Sequence, residues 1–379
     1  MRPRYHRIEP MSRRLLIGPL LLALLLAACS GDSASDGPTP EPTSDGVPRT
    51  FAMGLSSLPA ELTEDSYADA FALADEAGEV ILIQRTPPWQ ELLDGEISDE
   101  TVAQTQLEID LAREHDLDLF VAIDPTDPTQ GRGQLADLPA ELHGAGFANE
   151  DIQGAFLAYA RYVARNYHPR YLALGVEING YQQAQPQDFE RYVILYHQAY
   201  EAVKELSPDT LVFPIFQLEQ LQGLLPADQP RLPQWFLINR FEPRIDLLAV
   251  SSYPSLVFSS AAQIPDSYYA QLEAYSQRPV AITGLGYASA AEETGSNTGS
   301  EADQAAFVQR ALVTAQQMSM PLVVWFVGQD PSFTGAAPLD RLQHIGLLRQ
   351  DGSSKPAWRE WRDASLRPLA AGDASAGAE

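Results

Sequence analysis

Tyr171-Leu172-Ala173-Leu174-Gly175-Val176-Glu177-Ile178-Asn179 opens with a continuous apolar run and closes on a carboxylate and an amide. Unbroken apolar runs, as opposed to alternating ones, belong to parallel strands buried on both faces. The same pattern recurs at Phe51–Leu55, Val80–Gln84, Leu117–Ile123, Leu211–Phe216, Leu247–Ser251, Val280–Thr283 and Leu322–Val327. Amphipathic stretches separate these runs. Phe156, Tyr159, Ala160, Val163, Ala164 and Tyr167 fall on one helical stripe behind Asn149 as N-cap, and Phe189, Tyr192, Val193, Tyr196, Tyr200 and Val203 form a second. Ser300 is positioned to cap a third, through Phe307, Ala311 and Val313. These aromatic stripes read as packing faces. Eight strands alternating with helices predict an α/β fold, a (β/α)8 TIM barrel over residues 49–365. The rival, an open doubly wound sheet, wants a Gly-rich phosphate loop after its first strand, and Gly54-Leu55-Ser56-Ser57 does not supply one.

Composition narrows the function. The chain has 379 residues, 45% of them hydrophobic, and a formal net charge of −26. The first 28 residues hold five arginines and one glutamate, so the remainder is more acidic still. Such a surface repels phosphate backbones, and nucleic acid is not expected as a partner. The sole cysteine, Cys29, leaves no intramolecular disulfide and no cysteine-based metal site. The histidines at 115, 143, 168, 197 and 344 are scattered without ligand spacing, so neither metal nor cofactor is expected.

The N-terminus reads as a targeting segment. Arg13 and Arg14 precede an apolar run from Leu15 to Ala28, too short for a comfortable membrane span. It ends in Leu26-Ala27-Ala28-Cys29-Ser30, which resembles the bacterial lipobox. That resemblance implies a signal peptide over 1–28, acylation of Cys29, and export to the bacterial cell membrane or envelope. Residues 29–48, rich in Pro, Gly, Ser and Asp, read as a flexible tether, and residues 366–379 as a disordered tail.

In a barrel, chemistry gathers at the C-terminal ends of the strands. Polar and aromatic residues stand at these ends: Gln84, Arg85 and Trp89; Asp124; Glu177 and Asn179; Gln217 and Glu219; Ser251, Ser252 and Tyr253; Tyr287; Trp325. Glu177 is the most informative, because a carboxylate directly after a buried strand needs a partner or a cavity. Two readings stay open for it. It is a general acid, or it is a structural carboxylate paired with a cation such as Arg85.

Glu177-Ile178-Asn179-Gly180 is similar to the strand-4 signature of endo-β-1,4-galactanases and their relatives in the clan of retaining barrel glycosidases. Ser251-Ser252-Tyr253-Pro254 resembles the clan's strand-6 tyrosine segment. Trp325 matches the strand-8 tryptophan that floors the sugar subsite. Gly346-Leu347-Leu348 and Lys355-Pro356-Ala357-Trp358 resemble the closing segment. The resemblance implies Glu177 as acid/base, with a nucleophilic carboxylate about 5–5.5 Å away at the end of strand 7. Gly284 stands at that position, Tyr287 replaces the usual tryptophan, and Val176 replaces the asparagine before the acid/base. Weak or absent hydrolysis by the retaining route is therefore expected. Any remaining activity would draw its second carboxylate from Glu219 or from Glu292-Glu293. The implied partner is a polysaccharide or oligosaccharide, with Arg85, Trp89, Asp124, Asn179, Gln217, Tyr253, Tyr287 and Trp325 as substrate-binding candidates. Three functions are open: a glycan-binding barrel, an active glycosidase with an unorthodox second carboxylate, and a structural envelope lipoprotein.

Overall fold

The computed structural model describes residues 47–291, 299–333 and 339–370. The proposed signal, Cys29 and Glu292-Glu293 lie outside the described residues. Nine parallel strands follow in order: β1 (Ala52–Ser56), β2 (Val80–Arg85), β3 (Asp118–Ile123), β4 (Tyr171–Ala173), β5 (Leu211–Phe213), β6 (Ile215–Gln217), β7 (Leu248–Ser252), β8 (Val280–Leu285) and β9 (Leu322–Trp325). In the sheet they are ordered β5-β4-β3-β2-β1-β9-β8-β7-β6. Its two ends are β5 and β6, which are halves of one expected strand. Pro214 sits between them and has no N–H to give to a ladder. The Leu174 amide still donates to the Phe213 carbonyl (3.0 Å) and the Ile215 amide to the Gly175 carbonyl (2.9 Å), so the ring closes across the proline. The fold is the expected (β/α)8 barrel.

The helices are α1 (Glu64–Ala77), α2 (Trp89–Asp94), α3 (Asp99–Glu114), α4 (Glu150–Tyr167), α5 (Ile178–Ala184), α6 (Pro186–Leu206), α7 (Leu218–Leu221), α8 (Glu301–Gln317) and α9 (Pro356–Ser365). Both expected caps form: the Asn149 side chain accepts from the Asp151 and Ile152 amides, and Ser300 from the Asp303 amide. The stripe on α4 is buried as expected, as is that on α6 apart from the half-buried Tyr200. The crossovers on either side of β7 depart from the pattern. They carry only the four-residue α7 and short 3₁₀ turns. Pro226, Pro230, Pro233, Pro254 and Pro265 punctuate this stretch and deny it a long helix.

The base of the barrel is tied by Arg49. Its buried guanidinium pairs with Glu79 and donates to the Phe51 carbonyl (2.8 Å). The same residue forms a parallel bridge with Leu369, so the folded body reaches into the segment read as a tail. Near β9, the buried Lys355–Asp330 pair (2.6 Å) fastens the closing segment ahead of α9.

Candidate functional site

The mouth of the barrel, at the C-terminal strand ends, holds a cleft of about 870 Å³. Glu177 lines it. The chain reaches Glu177 through Gly175, where any Cβ would stand 2.1 Å from the Tyr192 hydroxyl, itself bonded to the Leu174 carbonyl (2.5 Å). Glu177 then adopts φ 48°, ψ 43°, a left-handed conformation uncommon outside glycine. Strain of about 1–3 kcal/mol persists only where the surroundings over-determine the residue.

Those surroundings are ionic. One Glu177 oxygen accepts from Arg132 Nε at 2.7 Å, and the other from Ser251 Oγ at 2.7 Å. Arg132 also donates to both Asp124 oxygens, at 2.8 and 2.9 Å, while Gln84 donates to Asp124 at 2.8 Å. Burial opposes the Arg132 charge, but Asp124 and Glu177 outweigh it and raise the guanidinium above its usual range. Glu177 is thus paired with Arg132. Arg85 instead pairs with the fully buried Glu108 while keeping a third of its side chain at the cleft. Arg132 escaped the sequence reading, although Gly131-Arg132-Gly133 supplies the only Lys or Arg between Asp124 and Asn149.

Glu219 occupies different surroundings. It is fully buried and accepts from Ser252 Oγ (2.7 Å), the Tyr268 hydroxyl (2.7 Å), the Tyr253 amide (3.1 Å) and Gln217 Nε2. Burial pushes its carboxyl up, against the pull of Tyr268, Ser252 and Tyr253. Ser251 reaches Glu177 and Ser252 reaches Glu219. Consecutive strand residues face opposite sides, so the two carboxylates lie on opposite faces of β7. Among the described residues, Glu177 is the only carboxylate lining the cleft.

The other expected site residues divide. Gln217 and Tyr253 line the cleft; burial and the charge of Glu177 hold the Tyr253 phenol well above its usual range. Asn179 spends its amide on the Gln217 backbone, at 2.8 and 3.0 Å. Trp89 is buried with Nε1 on the Ala136 carbonyl (2.8 Å). Tyr287 lies under α8, stacked on Phe307 and bonded to Asp303 (2.6 Å). Trp325 does not floor the cleft: it is fully buried against Phe307 and Trp361, with Nε1 on the Ile345 carbonyl (2.8 Å). Its neighbour Phe326 lines the cleft instead. A one-residue offset along a strand exchanges the faces.

Gly284 does reach the cleft. Ser251 pairs with Gly284 although Val250 pairs with Ile282, so Thr283 is the extra residue of a β-bulge. A Cβ at Gly284 would meet Ser251 Cβ and the Tyr253 hydroxyl at 3.4 Å, ordinary contact distances. A Cβ is therefore accommodated here, beside the serine that holds Glu177.

No family model matches the chain, and no curated protein does. Solved structures match its fold. The GH5_18 protein of Bifidobacterium longum subsp. longum, in complex with Manb1-4GlcNAc, is 15% identical with a TM-score of 0.62, covering 84% of this chain and 80% of that one. GH5_18 from Streptomyces cattleya, in complex with GlcNAc, gives 18% identity, TM-score 0.63 and the same coverage. The exo-beta-1,4-mannosidase Op5Man5 from Opitutaceae bacterium strain TAV5 gives 15% and 0.63 over 85% of this chain, which spans 61% of that one.

Two outcomes follow from these placements. Trp325→Ala lowers stability by about 3–5 kcal/mol in urea titrations and leaves ligand affinity unchanged once the variant is folded; a selective loss of binding would return Trp325 to the site. For Glu219, the raised carboxyl adds stability that is complete below the unfolded value and lost as pH rises through the folded one. Wild type therefore gains stability relative to Glu219→Gln as the pH is lowered towards the ordinary carboxylate range, measured by denaturation at each pH. These architectures agree on one point: the chain has the (β/α)8 barrel fold of glycoside hydrolases.

Proposed function

We propose that this protein is an exported, lipid-anchored barrel that binds a saccharide in its cleft and does not hydrolyse it by the retaining route. One observation carries the reading: among the described residues the cleft has a single carboxylate, Glu177, held on both oxygens, and the position across β7 is Gly284. A retaining reaction needs a second carboxylate as nucleophile. A lone general acid contributes only about 10²–10⁴-fold, far below what enzymes achieve on slow hydrolyses. Binding survives that loss. Gln84, Gln183, Gln217 and Gln220 line the cleft and offer both donors and acceptors to sugar hydroxyls. The saccharide complexes of the Bifidobacterium and Streptomyces barrels support a carbohydrate ligand, and the strand-4 and strand-6 motifs keep β-1,4-galactan among the candidates. Lipid anchoring rests on the lipobox-like residues 26–30.

The test is a binding and hydrolysis screen of the full chain on galactan, mannan and glucan oligosaccharides, with Gly284→Glu beside wild type. Binding without turnover in wild type, and turnover gained in Gly284→Glu, is the expected result. Robust wild-type turnover with retained configuration that survives Glu292→Gln/Glu293→Gln overturns it. Turnover lost in that double variant hands the second-carboxylate role to that pair. For anchoring, mass spectrometry of the mature protein should find an acylated Cys29 at the N-terminus, and Cys29→Ala should move the protein out of the membrane fraction.

A further inference from the structure

The cleft has two unlike walls. Above β2, β3, β4 and β6 gather Gln84, Arg132, Glu177, Gln183 and Gln220, set among Leu82, Val176, Ile215 and Leu225. Above β1, β7 and β9 the larger side chains are apolar, beside Ser56, Ser57, Ser251 and Ser255. Leu58, Tyr253, Phe326 and Leu342 are half-buried and pack on Ile345, Val327 and Ala288, a small apolar cluster separate from the main core. The exposed side of this cluster is the cleft wall, continued by Leu256.

Tyr253 and Phe326 do not form one flat platform in that wall: they meet edge to face, with an interplanar angle of 87°. Of the five tryptophans, none lines the cleft: Trp89, Trp325, Trp358 and Trp361 are buried, and Trp235 stacks on Tyr275 outside it. Sugar faces dock on flat, open rings; here Leu58, Leu256 and Leu342 stand beside the two crossed rings and add the branched aliphatic surface that suits an alkyl chain. Among the described residues the charges of the polar wall are paired, Arg132 with Asp124 and Glu177 and Arg85 with Glu108, which favours an uncharged over an anionic sugar.

We propose that the cleft takes an amphiphilic glycoside, an uncharged saccharide head on the glutamine wall with its hydrophobic aglycone along Leu58, Tyr253, Leu256, Phe326 and Leu342. This rests on the saccharide-binding reading and names the chemical class of its ligand. It places the glycosidic bond at the seam between the walls, where Ser251 and Gly284 lie.

Calorimetry on the full chain tests it. The probes are the octyl and methyl β-glycosides of glucose, galactose and mannose, with octyl tetraethylene glycol as a sugar-free control, all below their micelle concentrations. For at least one sugar the octyl glycoside should bind about 10- to 100-fold tighter than its methyl counterpart, the gain expected for burying part of the chain, and tighter than the control. Phe326→Ser and, independently, Leu342→Ser should each erase about tenfold of the octyl gain while leaving methyl glycoside affinity in place. Octyl and methyl glycosides binding alike overturns the proposal yet leaves saccharide binding standing. A control that matches every octyl glycoside overturns the proposal and the saccharide reading together. The absence of any octyl glycoside binding also overturns it; oligosaccharide binding in the separate screen then decides the broader reading.

Discussion

A closed parallel barrel gives each strand residue two destinations, the barrel interior and mouth or the layer beneath the helices, and the choice alternates at every step. This pleat governs the site more than residue type does. On β7, Ser251 faces the cleft and holds Glu177, while Ser252 faces away and holds Glu219. At the end of β9, Trp325 goes under α8 and α9 and Phe326 goes to the cleft. On β8 a single extra residue, Thr283, resets the phase so that Gly284 pairs with Ser251. Bulges gather where a strand must re-aim a side chain, and here the re-aimed position carries no side chain at all.

The second organising element is Arg132. It bridges β3 and β4 at their C-terminal ends by holding Asp124 and Glu177 together. Removing one partner of a buried ion pair costs about 3–5 kcal/mol, more than the about 1–3 kcal/mol stored in a left-handed glutamate. The network can therefore hold Glu177 in its unusual conformation. A polar network of this depth, fully satisfied and reaching the wall of an open cleft, fixes the position of an acceptor with little freedom to relax.

The eight strands were legible in the sequence because burial on both faces leaves a continuous apolar signature, and that signature does not depend on distant contacts. The strand at Leu211–Phe216 shows the limit: its run was visible, but its division at Pro214 is a ladder effect that requires the neighbouring strands. Glu177 at the barrel mouth was legible from position alone. Its partner was not, because Arg132 lies in a loop and reaches Glu177 through a left-handed turn of its own, at φ 60°. Trp325, Tyr287 and Glu219 were assigned to the cleft from their place near strand ends. Strand ends fix height along the barrel but not the face: Trp325 stands one residue from the cleft-lining Phe326, while Glu219 in α7 and Tyr287 beyond β8 are placed by the segments that follow their strands. The apolar wall escaped because its members come from four separate segments and share no periodicity.

Fold and chemistry separate cleanly here. The barrel and its cleft are formed and Glu177 lines the mouth, while Gly284, paired with Ser251, carries only a hydrogen atom where a Cβ would meet ordinary contacts. A (β/α)8 scaffold imposes neither outcome, since function resides in the side chains at its mouth. Binding needs complementary surface, which the glutamine wall and the apolar wall supply over a volume suited to a small ligand. Hydrolysis additionally needs charge placed where the transition state develops it. On the reading proposed above, a cleft with a single carboxylate among its described residues meets the first requirement and not the second. On the proposed reading the cleft binds without cleaving, because the position beside Ser251 that could carry a second carboxylate is Gly284.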